Sequence, residues 1–196
     1  MEKSNSLSVV ILAAGKSSRL GEAKQLLKIE EQTLLEISVK KALIVSDDVN
    51  VILGASADLC IEKIKNFNIK YYINKEFESG MASSLKLGIS KVEKNKDALV
   101  MLCDMPLIPS SHYENLVKIY SDNKKRIVCS KYKENFLVPA IFPNRYFELF
   151  KKLSADKGAK KILQEYAKDY VVLEDKYTLD IDTKEDFDKV LATKSC

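Results

Sequence analysis

A polar loop that follows an apolar run near the start of the chain carries residues suited to binding phosphate. The segment from Leu12 to Leu27 reads LAAGKSSRLGEAKQLL and contains Gly15-Lys16-Ser17, the letters that end a nucleoside-triphosphate P-loop. A P-loop also needs a glycine five positions before Gly15, where this chain has Val10 inside a predicted strand. We therefore exclude a P-loop. A Rossmann G-x-G-x-x-G is also absent, because Gly15 and Gly21 stand six positions apart with Ser17 between them.

The remaining pattern still favours a phosphate ligand. Small residues allow backbone N–H groups to approach an anion closely, and consecutive N–H groups in a turn form an anion-binding nest. Arg19 offers a planar pair of donors for phosphate oxygens, and Lys24 offers a compact positive charge. The alternative from these residues alone is a surface turn with two solvated cations.

Carboxylates that could hold a metal ion occur at two other places. Asp104 directly follows an apolar run, so it is expected at the carboxyl end of a buried strand, where ligands bind; it could also be a turn or helix N-cap residue. Asp180 and Asp182 stand two apart in the strand-like LDIDT, which would place them on one face. Thr183 and Asp186 could instead form a capping pair that explains part of this segment without a metal.

The elements that must position these residues alternate between strands and helices. Apolar, β-branched runs predict strands at Leu7–Ala13, Val49–Gly54, Ile69–Ile73, Ala98–Cys103, Arg126–Ser130, Leu137–Phe142 and Tyr170–Leu173. Helical periodicity predicts helices at Thr33–Val45, Ala57–Phe67, Met81–Glu93, Ser110–Ser121, Arg145–Leu153 and Lys157–Tyr166. This order predicts a three-layer α/β/α sandwich with a mostly parallel, Rossmann-like sheet, whose ligand-binding loops begin at Ala14, Gly54 and Asp104.

Composition and charge limit the classes of function. The 32 basic and 28 acidic residues are scattered and give a net charge of +4, so no nucleic-acid footprint is indicated. Four widely spaced cysteines suggest neither a zinc site nor a disulfide framework, and no apolar run is long enough for a secretory leader or a membrane span. We expect one cytoplasmic domain over residues 1–196, with a nucleotide-binding half at about 7–106 and an acceptor-binding half at about 107–196. His112 is expected on the surface, with no role in acid–base chemistry.

The phosphate loop resembles a known signature. The pattern L-A-A-G-x-S-x-R-x-G-x-x-K resembles that of the nucleotidyltransferase superfamily that includes the molybdenum cofactor cytidylyl- and guanylyltransferases, and it is matched at Leu12, Ala13, Ala14, Gly15, Ser17, Arg19, Gly21 and Lys24. The resemblance implies a nucleotide-diphospho-sugar transferase fold and a loop that wraps the triphosphate of a nucleotide. It also implies that Arg19 and Lys24 stabilise the reacting phosphates.

Further segments resemble the same superfamily and extend the similarity from residue 9 to about 191. GMASSLKLGI, at Gly80–Ile89, is similar to a segment that closes over base and ribose, which implies roles for Gly80 and Ser84. LCDMP at Leu102–Pro106 and DIDTKEDF at Asp180–Phe187 resemble its D-x-P and D-I-D-T-x-E-D motifs. The resemblance thus implies that Asp104, which is also expected to be catalytic, and Asp182 hold Mg²⁺.

The resemblance implies a Mg²⁺-dependent transfer of a nucleoside monophosphate to a phosphorylated acceptor, with release of pyrophosphate. Ala13-Ala14 resembles the cytidylyl branch, so CTP and molybdopterin are the expected substrates, with transient contact to an enzyme that receives the cofactor. Two departures leave the acceptor open: Leu137-Val138-Pro139 replaces G-x-P, and Ala155–Lys160 replaces G-D-x-G-A-R. The alternatives are transfer from GTP, transfer to a sugar phosphate, and a non-catalytic nucleotide-binding cofactor chaperone.

Overall fold

The computed structural model describes residues 3–153 and 158–194. Its strands are β1 (Leu7–Ala13), β2 (Lys28–Ile29), β3 (Gln32–Thr33), β4 (Val49–Leu53), β5 (Lys70–Ile73), β6 (Asp97–Leu102), β7 (Ile127–Tyr132), β8 (Asn135–Phe142) and β9 (Ala167–Val172). Its helices are α1 (Leu34–Val45), α2 (Ala57–Ile64), α3 (Met81–Ser90), α4 (Ser110–Asp122), α5 (Phe147–Lys151), α6 (Lys160–Tyr166) and α7 (Lys184–Lys194).

Seven of these strands form one sheet in the order β5-β4-β1-β6-β8-β7-β9. Strand β8 runs antiparallel to both of its neighbours, whereas all other pairs are parallel. The short strands β2 and β3 pair separately. The expected mostly parallel sheet is therefore confirmed, with β1 between β4 and β6, so that the loops after these three strands meet at one edge.

Helices cover both faces of the sheet, which confirms the three-layer α/β/α sandwich. Alternate residues of β1 face opposite layers: Val9 and Ile11 pack in a cluster with α1, α2, α4 and α7, whereas Val10 and Leu12 pack with α3, α5 and α6. Burial on both faces explains why β1 reads as a continuous apolar run. Helix α3 lies so close to the sheet that a Cβ at Gly88 would stand only 2.4 Å from Cγ1 of Val10, so this close packing requires a glycine.

Several predicted boundaries differ from the structure. The segment predicted as a helix over Arg145–Leu153 is a 3₁₀ turn at Asn144–Tyr146 followed by the short α5. Helix α6 begins at Lys160; the predicted start at Lys157 and most of the Ala155–Lys160 motif lie outside the described residues. The last strand spans Ala167–Val172, which is three residues earlier at its start than predicted. None of the described helices is both long and apolar enough to cross a membrane.

The expectation that His112 lies on the surface is wrong. The first turn of α4 faces β7, and His112 is only 5% exposed. Its Nε2 lies 2.8 Å from the Ser130 hydroxyl, which itself donates to the carbonyl oxygen of Pro139. Nε2 therefore carries the proton and donates to Ser130, and this pairing makes burial of the ring acceptable. Burial lowers the pKa of His112 to about 4.

Candidate active site

One lysine joins the three segments that carry the predicted charged residues. The Nζ atom of Lys24 donates to Oδ2 of Asp104 at 2.7 Å, to Oδ1 of Asp182 at 2.8 Å and to the carbonyl oxygen of Ile181 at 3.0 Å. These three acceptors use all three protons of the ammonium group. Lys24 and Asp104 are mostly buried, whereas the Asp182 side chain is 49% exposed.

The electrostatics of this cluster favour a charged lysine. Burial works to lower the pKa of Lys24, but the carboxylates of Asp104 and Asp182 outweigh it and leave the pKa above its ordinary value. The nearby Asp180 has a raised pKa because it is partly buried and because Asp104 and Asp182 repel its charged form. The site therefore holds one fixed cation among several carboxylates.

The segment before α7 is not the strand that its sequence suggests. The N–H of Ile181 donates to the carbonyl oxygen of Asp104 at 3.0 Å, and the carbonyl of Ile181 accepts from Lys24. These bonds occupy both backbone groups and fasten the segment to the loop after β6. Thr183 and Asp186 form the predicted cap at the start of α7, with Thr183 N–H donating to Asp186 at 2.9 Å. Asp182 thus lies just outside a capped helix, so the capping and site interpretations are compatible.

The phosphate loop contains two residues in the left-handed conformation. Ser17 adopts the left-handed conformation with φ of 54°, and Gly21 follows with φ of 80°. The Ser17 hydroxyl accepts from the N–H of Lys24 at 3.0 Å, which ties the loop to the turn that carries the lysine. Within the described part of the chain, no hydrogen bond is donated by the backbone N–H groups of residues 14–19. These groups remain available to an anion.

Two further residues lie against the phosphate loop: Gln25, which sequence analysis missed, and Gly54, which it named only as the start of a ligand-binding loop. The Gln25 amide donates to the carbonyl oxygens of Ala13 and Gly15, at 2.9 and 2.8 Å. Gly54, at the end of β4, lies so near the loop that a Cβ there would stand 2.3 Å from the carbonyl oxygen of Ala14. The only sequence signals were a polar residue beside the apolar Leu26 and a glycine at a strand end.

A cavity of about 270 Å³ brings most of the predicted site residues together. Its lining includes eight of them: Leu12, Ala13, Ala14, Gly15, Lys24, Gly80, Ser84 and Asp104. Ser17, Arg19 and Asp182 do not line it. The Arg19 side chain is 79% exposed, and its Nη1 lies 3.9 Å from Oδ2 of Asp182. Arg19 therefore stands at the mouth of the site beside Asp182, outside the cavity itself.

The opposite wall of the cavity begins at Gly80, which has φ of 95° and precedes α3. Neither Ser79 nor Ser83 caps this helix with its side chain. Asn74, a second residue that sequence analysis missed, donates to the hydroxyls of Ser83 and Ser84 at 2.9 Å each. It fixes Ser84, which is 5% exposed, at the cavity wall. A buried asparagine at a strand end was the only sequence signal for this role.

Asp104 has a buried carboxylate oxygen that a divalent cation could complete. Oδ1 of Asp104 is buried without a hydrogen-bond partner among the described residues, while its Oδ2 binds Lys24. A buried carboxylate oxygen without a partner is costly unless a ligand completes it. The described residues contain no group of three or more His, Cys, Asp or Glu side chains able to hold a metal. Two carboxylates completed by ligand oxygens and water suit Mg²⁺, which rarely uses an all-protein cage.

A second, apolar cavity of about 200 Å³ adjoins the first. The two share Leu12, Met81 and Leu102. The second continues toward Phe136, Leu137 and Val138 of β8, next to the cis peptide bond before Pro139. The departure from G-x-P thus contributes directly to an apolar wall beside the first cavity.

Comparison with known proteins gives consistent matches. Over residues 9–170 the sequence matches the family model described as "MobA-like NTP transferase domain". The purine catabolism protein PucB of Bacillus subtilis (strain 168) is 27% identical over 202 residues, covering 92% of this chain and 94% of that protein. The molybdenum cofactor cytidylyltransferase of Escherichia coli (strain K12) is 26% identical over 119 residues, covering 60% of this chain and 62% of that protein. The structure of Rv0371C of Mycobacterium tuberculosis H37Rv in complex with manganese has a TM-score of 0.81 at 21% identity, covering 96% and 99%, which shows a shared fold.

Proposed function

Since this chain belongs to the MobA-like NTP transferase family, we propose that it is a nucleotidyltransferase that joins CMP from CTP to molybdopterin and releases pyrophosphate. The observation that carries the proposal is the Lys24 ammonium, which binds Asp104 and Asp182 at the edge of the cavity beside the phosphate loop. A binding protein could hold a nucleotide with the loop alone. A lysine held in a fixed position by two carboxylates can stabilise the negative charge that develops on the phosphates during a transfer reaction.

The reaction forms a bond between a phosphate oxygen of the acceptor and the α-phosphorus of the nucleotide. The bond from that phosphorus to the β-phosphate oxygen breaks, and pyrophosphate leaves with its electron pair. The acceptor phosphate is already ionised at neutral pH, so no side chain has to remove a proton from it. The task of the protein is to align two anions that repel each other.

We assign that task to the charged residues around the loop. The N–H groups of residues 14–19 and the guanidinium of Arg19 would hold the outer phosphates, which become the leaving group. Lys24 would stabilise the negative charge that develops around the α-phosphorus. Asp104 and Asp182 would hold Mg²⁺, which when bound supplies charge neutralisation between the phosphates and orients them.

The apolar cavity bears on the choice between a sugar phosphate and another phosphorylated acceptor. A phosphate placed near the α-phosphorus would leave part of the acceptor facing the apolar side chains of Leu137 and Val138, in a cavity that Lys160 also lines. A sugar has hydroxyl groups that need hydrogen-bond partners, so this wall favours a less polar acceptor over a sugar phosphate. The choice of CTP depends on Ala13-Ala14 and the resemblance to the cytidylyl branch.

The first test is binding, measured by thermal unfolding with CTP, GTP, ATP or UTP, each with Mg²⁺. A nucleotide at 100 times its Kd adds about 2.7 kcal/mol, which raises the midpoint by roughly 5 to 10 °C for a chain of this size. We expect CTP to give the largest rise in the unfolding midpoint and Asp104→Ala to reduce that rise.

The cytoplasmic location and transient contact with a cofactor-receiving enzyme remain parts of the proposal.

The second test is turnover, followed as pyrophosphate release from CTP with molybdopterin. We expect release to require both substrates and to be lost in Asp104→Ala. A larger rise in the unfolding midpoint with GTP than with CTP would assign the chain to guanylyl transfer. Turnover with a sugar phosphate would show that the acceptor is a sugar phosphate and not molybdopterin. A shift with CTP but no release with any acceptor would favour a nucleotide-binding chaperone, whereas no shift at all would refute nucleotide binding.

A further inference from the structure

Gln25 is a buried side chain whose amide donates to the end of β1 and to the phosphate loop. It is 2% exposed, and its Nε2 donates to the carbonyl oxygens of Ala13 and Gly15. Both partners are carbonyl oxygens, which can only accept, so the amide nitrogen must face them. The orientation of this amide is therefore fixed by its partners.

The two hydrogen bonds determine the direction of two peptide groups. In a trans peptide the C=O and the N–H that follows it point in opposite directions. With the Ala13 carbonyl held toward Gln25, the N–H of Ala14 points away from it. The Gly15 carbonyl does the same for the N–H of Lys16. Neither N–H donates to another group among the described residues.

Space beside the loop is consistent with an anion approaching these groups. A Cβ added at Gly15 would meet only Cε of Lys24, at 3.9 Å, so the backbone is not covered there. Gln25, Ala14 and Gly15 all line the 270 Å³ cavity. The N–H of Ala14 thus belongs to a residue that lines the volume that a triphosphate would enter, and the N–H of Lys16 belongs to the residue that follows Gly15 at the border of that volume.

We propose that Gln25 is a positioning residue, whose amide aims the N–H groups of Ala14 and Lys16 at the phosphates of the nucleotide. This inference rests on the proposed function, because it assumes a triphosphate in the cavity. Gln25 itself does not touch the reacting atoms. Its effect reaches the substrate through the backbone of the loop.

The other end of the amide argues against a role in packing alone. Oε1 of Gln25 is buried and has no hydrogen-bond partner among the described residues. Burying an unpaired amide oxygen is unfavourable, and a methionine of similar length would avoid that cost. Gln25→Met therefore separates the two explanations. If Gln25 only fills space, the variant binds ligand normally. If it positions the loop, the variant still folds but binds phosphates poorly, and it loses some stability because the carbonyl oxygens of Ala13 and Gly15 no longer have a donor.

The experiment compares wild type, Gln25→Met and a control, Gln164→Met, which makes the same change at an exposed position of α6. Calorimetry with inorganic tripolyphosphate measures binding to the loop without any contribution from the base. We expect Gln25→Met to weaken binding by about tenfold to hundredfold, because a misplacement of about 1 Å can cost about a hundredfold, when both proteins are measured well below their unfolding temperatures. The control should bind as wild type does. Binding of Gln25→Met within twofold of wild type would overturn the inference.

A measurement without ligand tests the positioning separately. Backbone ¹⁵N relaxation of residues 14–16 should give order parameters near 0.85 in wild type that fall toward 0.6 in Gln25→Met. Unchanged order parameters would overturn the inference, whatever the binding result. If tripolyphosphate does not bind wild type although CTP raises its unfolding midpoint, the inference is overturned and nucleotide binding stands; if neither ligand binds, the proposed function is refuted. If Gln25→Met does not fold, Gln25→Glu serves the same tests, since it keeps the length and places a carboxylate against the two carbonyls.

Discussion

Replacing Lys24 by methionine should destabilise the protein as well as abolish transfer. The change removes the ammonium from Asp104, whose side chain is only 17% exposed, and leaves its buried carboxylate without a partner. Removing one member of a buried ion pair costs about 3 to 5 kcal/mol. The Asp182 side chain is 49% exposed and can be solvated, so we count little for that contact. Because water can still reach the 17% of the Asp104 side chain that is exposed, we expect a loss slightly below that range, about 2 to 4 kcal/mol, or roughly 5 to 15 °C in the midpoint.

The double variant Lys24→Met with Asp104→Leu provides the decisive comparison. Replacing both members of a buried pair by apolar groups is often nearly neutral, because no charge is left buried. The double variant should recover most of the lost stability in urea unfolding but show no pyrophosphate release. Lys28→Met, at a nearby exposed lysine, is the matched control and should change neither property. A Lys24→Met protein as stable as this control, or a double variant no more stable than Lys24→Met, would refute the charge argument.

Three other outcomes are expected. Gly54→Ala should weaken tripolyphosphate binding and cost about 1 to 3 kcal/mol in urea unfolding, because its Cβ would collide with the backbone of Ala14. Between pH 6.5 and about 4 the buried His112 stays neutral, whereas the same residue is protonated in the unfolded chain. The free energy of unfolding therefore falls by up to about 1.4 kcal/mol for each pH unit as the pH drops through this range. Urea unfolding should show a smaller fall in His112→Gln. Peptide mapping after thiol labelling at neutral pH should find reaction only after unfolding at three buried cysteines whose pKa values are raised by burial, Cys60, Cys103 and Cys129.

The central part of the fold could be predicted because its signals are local. Strands β1 and β6 are buried on both faces, so their sequences are apolar throughout, and the loops that follow them must lie at one edge of a parallel sheet. That reasoning placed Asp104 beside the phosphate loop. The contact of Asp104 with Lys24 confirms that the two loops are neighbours.

The errors occurred where long-range contacts decided the structure. Alternation in LDIDT suggested a strand, but the backbone of Ile181 bonds to Asp104 and Lys24 instead of a neighbouring strand. His112 was expected at the surface because it lies near a helix N-terminus; it is buried because Ser130, on another element, supplies a hydrogen-bond partner. The backbone role of Gln25 was not predictable either, because its acceptors are carbonyls, which every residue has.

The distribution of unpaired buried atoms gives an independent reason to place the ligand at this loop. In the described part of the chain, three buried side-chain nitrogen or oxygen atoms have no hydrogen-bond partner: Gln25 Oε1, Asn50 Oδ1 and Asp104 Oδ1. Two of the three belong to residues that line the 270 Å³ cavity, although that cavity is small compared with the whole interior. Folding normally pairs such atoms, since each unpaired one costs about 1 to 3 kcal/mol. Their concentration beside Lys24 is what we expect of a site whose polar groups are arranged for a charged ligand and its cation.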